Sequence, residues 1–151
     1  MKILVATDGS RGSTAALSFA ARLAGHEVGE LIVLTVDPGN GVRSIGDPPK
    51  GRISLSAAGP EARKVLDAAA REVKRHGAKA QYQLVSARRK DEIPEAIARE
   101  AERIKADLVV VGSEGRDTLN EWVVGGTALR LIYVARRPVT VVRPPRRRKA
   151  S

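Results

Sequence analysis

The chain contains no cysteine, and its aromatic residues make up only 3% of 151 positions: two tyrosines, one tryptophan and one phenylalanine. Without thiols there are no disulfides, no thiolate metal sites and no cysteine nucleophile, a composition compatible with a reducing compartment. With so few rings, the core must be assembled mainly from Ala, Val, Leu and Ile within an apolar content of 42%. That mixture suits helices packed on a buried sheet. Long apolar runs are also missing. Ile3-Leu4-Val5-Ala6 meets Asp8 almost at once, too short for a signal peptide, and no other run approaches the ~18 residues of a membrane span. The expectation is a soluble, cytoplasmic protein with no membrane span, and the length fits one domain.

Acidic residues are scarce relative to basic ones, 17 against 27, which leaves a formal charge of +10 and a pI near 10.7. Much of the excess is terminal: Arg143, Arg146, Arg147, Arg148 and Lys149 fall in the last nine residues together with two prolines. Such a segment solvates well and does not pack. Residues 1–143 are expected to form the domain and 144–151 a basic, flexible tail with weak, non-specific affinity for polyanions.

Apolar periodicity supplies the elements. Ile3 to Thr7 reads as a strand that stops at Asp8-Gly9-Ser10, after which Ala16, Phe19, Ala20 and Leu23 recur at helical spacing. Leu31 to Val36 is a continuous run, as in a central strand covered on both faces. Between Asp37 and Gly59 come five glycines and three prolines without apolar period, which reads as an irregular connection. Pro60 opens a helix with Ala62, Val65, Leu66, Ala69 and Val73 on one stripe and Gly77 as its terminator. Gln81 to Val85 begins by alternating, so it is placed at a sheet edge. Asp91 is expected to cap a helix carrying Ile93, Ile97, Ala101 and Ile104 on one face. Leu108 to Val111 is another buried strand; Ala128, Leu131, Ile132 and Ala135 mark a last helix, and Val139 to Val142 a last strand. Strands alternating with helices call for an α/β fold, an open five-stranded parallel sheet with helices on both faces.

In such sheets ligands bind beyond the carboxyl ends of the strands, where the winding direction reverses. Thr7-Asp8-Gly9-Ser10 and Gly112-Ser113-Glu114-Gly115 should converge there, with the helix starting near Gly125-Gly126-Thr127 aiming its positive end at the same place. Backbone amides on glycines can approach a phosphate closely, so the set reads as a nucleotide cradle. It is neither a P-loop nor a dinucleotide fingerprint, since G-K-[ST] and G-x-G-x-x-G do not occur. Blander readings stand beside this one: Asp8 capping the loop before the first helix, and Gly112 and Gly115 merely ending a strand. His26 and His76 have no metal-ligand spacing around them and are assigned no chemistry.

Gly112, Gly115 and Gly125 reproduce the Gly-x2-Gly-x9-Gly spacing of nucleotide-binding universal stress proteins, and the stretch from Ala106 to Gly115 resembles that family's most recognisable segment. The opening Ala6 to Ser10 and the closing Arg137 to Val142 are similar to it as well. The resemblance implies a Rossmann-like fold of the adenine nucleotide alpha hydrolase type, a homodimer formed through the last strand, and ATP or a related adenine nucleotide, with Mg²⁺ as a possible companion, in a stress-response role. By the same resemblance Thr7 and Asp8 lie by the adenine and ribose, Val36 by the base, and Gly112, Gly115, Gly125, Gly126 and Thr127 by the ribose and phosphates. The chain departs from the pattern twice: Gly126 occupies the position of a Ser or Thr hydroxyl, and Glu114 brings a carboxylate where the family tolerates His or Arg. A nucleotide-independent interaction protein recruiting an anionic partner and a slow nucleotide hydrolase are the alternative functions.

Overall fold

The computed structural model describes residues 1–26, 29–37, 52–53, 55–87, 89–114 and 124–146. Its strands are β1 (Lys2–Ala6), β2 (Glu30–Asp37), β3 (Arg52–Ile53), β4 (Ala80–Ser86), β5 (Leu108–Gly112) and β6 (Val139–Val142); its helices are α1 (Arg11–His26), α2 (Pro60–Arg75), α3 (Ile93–Ile104) and α4 (Gly126–Val134). Five strands run parallel in the order β4-β2-β1-β5-β6, as the alternation of strands and helices predicts. The chain winds outward from β1 through β2 to β4, then returns to lay β5 on the other side of β1. The winding direction therefore reverses between β1 and β5, whose register pairs Val5 with Val110.

Both sheet faces are covered, which is why the central strands are uninterrupted apolar runs. On one face Ile3, Val5, Val33 and Val110 pack with Ala16, Leu17, Ala20 and Ala21 of α1 and with Ala69 and Val73 of α2. On the other, Leu4, Ile32, Leu34, Val109 and Val111 pack with Ala96, Ile97, Ala101 and Ile104 of α3 and with Ala128 and Leu131 of α4. Small side chains on α1 let the helix approach the sheet closely, while Phe19 and Tyr82 pack against the cluster part-buried. Helix α2 begins and ends where its punctuation demands. Gly59 is its N-cap and Pro60 its first residue. Gly77, at φ +67°, turns the chain away while its N–H donates to the Lys74 carbonyl at 2.9 Å.

Three local expectations fail. The segment between Asp37 and Gly59 is not wholly irregular: Arg52 and Ile53 pair antiparallel with Val85 and Leu84, so β4 is bordered by a sixth, two-residue strand instead of forming the edge. Asp91 does not cap α3. It lies in a 3₁₀ turn and pairs with Arg89 at 3.3 Å, and the residue at the N-cap is Glu92, without a side-chain cap bond. Ile132 is not core but 52% exposed, because the nine-residue α4 turns toward the sheet a stripe of Ala128 and Leu131, with Val134 partly buried beside them. Ala135 lies just beyond the helix end and is half-buried.

Candidate functional site

The loop after β1 is organised by its own hydroxyls. Ser10 caps α1, its Oγ accepting from the Ser13 N–H at 3.2 Å. Asp8 Oδ1 accepts from the Ser10 N–H at 2.8 Å, the Asx-type turn of the blander reading, and the residue is exposed. The Thr7 hydroxyl turns toward α1, 3.1 Å from Ser13 Oγ, and is buried. Thr7 thus reaches the site with its backbone, while its side chain holds the loop to the helix.

The loop after β5 meets this one at very short range. A β-carbon placed on Gly112 would lie 2.4 Å from the carbonyl carbon of Gly12, and one on Gly12 would lie 2.2 Å from the Glu114 carbonyl oxygen. Gly112 therefore serves the close approach of α1 to the end of β5, a role beyond ending the strand. Glu114 is only 8% exposed, and its Oε1 accepts from Arg11 Nη1 at 3.1 Å. Its negative charge is thereby paired from inside the protein. Neither Gly12 nor Arg11 was singled out by sequence reasoning. The partners lie about a hundred residues apart, and no local pattern marks them.

The third component is the start of α4. Gly125 is its N-cap, its N–H donating to the Ser113 carbonyl, and the helix has no side-chain cap. Among the described residues its first-turn amides thus have no side-chain cap, as a helix end that receives an anion requires. Gly126 and Thr127 are exposed, and a β-carbon on Gly126 would meet no atom of the described residues within 4 Å. Val36 packs on the same sheet face as α4. Beside this end lies Ser113, 1% exposed, whose hydroxyl has no hydrogen-bond partner among the described residues. A buried orphan hydroxyl calls for explanation, and an incoming acceptor would provide one. The structure thus brings Val36, Gly112, Gly125, Gly126 and Thr127 to one end of the sheet beside the Thr7–Asp8 loop. Gly115 and Trp122 lie outside the described residues.

These groups fit a phosphate-bearing ligand. For Mg²⁺, no cluster of three His, Asp or Glu side chains exists among the described residues, so an ion here would take its ligands chiefly from phosphate and water. Two cavities are lined by residues other than those at the start of α4. One of about 650 Å³ borders α3 and includes Arg99, Arg103 and Arg136; another of about 290 Å³ runs between α1 and α2 and reaches Thr7 and Gly9 of the loop after β1. In the first, Arg103 pairs with Glu100, and among the described residues no glycine-rich backbone lines it.

His76, given no chemistry from the sequence, stands 2.9 Å from Ser18 Oγ and 3.2 Å from Glu72 Oε1. Both contacts fall on Nε2. A serine-activating histidine needs its carboxylate on the other nitrogen, so this trio ties α1 to α2 and is not arranged as a hydrolytic triad.

The universal stress protein family matches residues 1–143 of this chain. The chain belongs to that family. A universal stress protein of Methanocaldococcus jannaschii is 33% identical over 149 residues, covering 97% of this chain and 84% of that one. A universal stress family protein of Burkholderia pseudomallei, of known structure, shares 28% identity at a TM-score of 0.64, over 94% of this chain and 95% of its own. The universal stress protein of Archaeoglobus fulgidus in complex with dAMP shares the fold at 23% identity and a TM-score of 0.66, over 93% of this chain and 96% of its own. No helix among the described residues of this family member is long and apolar enough to cross a membrane.

Proposed function

We propose that the chain is a cytosolic regulatory module that binds ATP or a related adenine nucleotide and couples its occupancy to a stress response. One observation carries the reading: an uncapped α4 N-terminus, with open space at Gly126 and the orphan hydroxyl of Ser113 beside it, stands where the sheet changes winding direction. The dAMP complex of the A. fulgidus protein supports the choice of an adenine nucleotide. In this reading the amides at Gly125, Gly126 and Thr127 receive phosphate, Gly112 and Gly115 let the backbone come close, Val36 borders the base, and the Thr7–Asp8 loop flanks adenine and ribose. Mg²⁺ would accompany ATP, held through its phosphates.

The module is read as a homodimer joined through β6, the outermost strand beside β5. Its basic tail, 144–151, adds non-specific affinity for polyanions. Mass spectrometry of protein purified without added ligand tests the reading, with a co-purified adenine nucleotide expected. Empty protein that also fails to bind added nucleotide would favour the nucleotide-independent interaction protein, and steady product release would favour the hydrolase.

A further inference from the structure

Three separate segments meet on the Arg11 guanidinium. One Nη donates to Glu114, just after β5, and the other to the carbonyl of Pro145, beyond β6; Arg11 itself opens α1. Glu114 is more than nine-tenths buried, and its backbone is pressed against Gly12, so the carboxylate is held in place by the packing of the two loops. A carboxylate removed from water is costly unless paired, and here it sits two residues after Gly112, beside the ground where a phosphate would lie. Arg11 is the cation that pairs with it. A guanidinium carries five N–H donors in a planar fork, more than these two acceptors use, and the Arg11 side chain keeps about a third of its surface in solvent.

We propose that Arg11 is a phosphate-binding and charge-compensating residue of the nucleotide site, neutralising Glu114 and presenting its remaining N–H groups to the ligand's phosphates, with the Pro145 carbonyl holding the fork in place. This rests on the nucleotide reading given above. The consequence is a selectivity by charge. Adenosine makes no demand on Arg11, AMP makes one, and ATP the largest, so Arg11 sets how strongly affinity rises with phosphate number.

Calorimetric titration of the full chain with adenosine, AMP and ATP tests this in the wild type, Arg11→Ala, Glu114→Gln and the double variant. Arg11→Ala should weaken ATP binding by about tenfold or more, because a buried carboxylate is left facing the phosphates, while adenosine affinity changes less than about twofold. The double variant should recover part of the ATP loss, and it remains informative if Arg11→Ala alone fails to fold, since it leaves no lone buried charge. Glu114→Gln should bind ATP at least as well as the wild type. An unchanged ratio of ATP to adenosine affinity in the variants lacking Arg11, or an equal loss of both ligands, overturns the proposal while leaving the nucleotide reading intact. A wild type that binds none of the three overturns the nucleotide reading, and the role of Arg11 falls with it.

Discussion

Gly12 and Gly112 are in backbone contact: a β-carbon on Gly112 would fall 2.4 Å from the Gly12 carbonyl carbon and 2.8 Å from the Ser13 nitrogen. The first turn of α1 thus rests directly on the last residue of β5, and the two loops of the site are set by that contact. Alanine at either position should force the backbones apart. We expect Gly12→Ala and Gly112→Ala each to cost roughly 1–3 kcal/mol, read as a fall of several degrees in the thermal midpoint. Unchanged melting would mean the approach is looser than described.

Gly112 was recognisable in the sequence because its spacing to Gly115 and Gly125 follows a known pattern; Gly12 was not, because its reason lies in a residue far along the chain. The same distinction runs through the fold. The apolar stripe of α2, with Pro60 before it and Gly77 behind, is local information and was readable residue by residue. Strand β3 is two residues long, too short to carry a period, and sits among glycines and prolines. In α4, Leu131 and Ile132 both fit a helical spacing, and only the angle at which the helix meets the sheet decides that Leu131 is buried and Ile132 exposed. The pairs Arg11–Glu114 and Ser18–His76 are products of topology and had no signal in either local segment.

Acid should loosen the seam between α1 and α2. Burial pushes the Glu72 carboxyl up, but hydrogen bonds from Arg75 and His76 outweigh it and hold its pKa below the ordinary value. A group whose pKa is lowered on folding contributes stability above its unfolded value and loses it as pH falls through the folded one. The contribution of Glu72 is therefore present at neutral pH and fades as pH falls below the usual carboxylate range. Glu72→Gln should lower stability by about 1 kcal/mol near pH 7. In melting curves the difference from wild type should shrink on acidification; a constant difference would contradict the assignment.

The edge of β6 should pair with a second copy. Val139 to Val142 are only half-buried in the isolated chain, and the preceding helix leaves Ile132 52% and Tyr133 77% exposed. An unprotected apolar edge invites strand pairing. Sedimentation at micromolar concentration should show a dimer that Val141→Lys shifts toward monomer. A wild-type monomer would refute the pairing.

The tail should bind charge and not sequence. Replacing Arg146, Arg147, Arg148 and Lys149 by glutamine should lower affinity for DNA of any sequence and flatten its salt dependence by about three to four counterions, while nucleotide binding stays intact. Sequence-selective DNA binding that survives the replacement would refute this.

Titration calorimetry of ATP into the wild type and Gly126→Ser tests the placement of the phosphates at the start of α4. A β-carbon at Gly126 meets no atom of the described residues within 4 Å, so serine should be accommodated there with the fold intact. The wild type should bind with modest affinity, and Gly126→Ser should bind up to about tenfold more tightly, equivalent to ~1.4 kcal/mol for one net hydrogen bond. Failure of both proteins to bind ATP, with the fold intact by circular dichroism, would contradict the account.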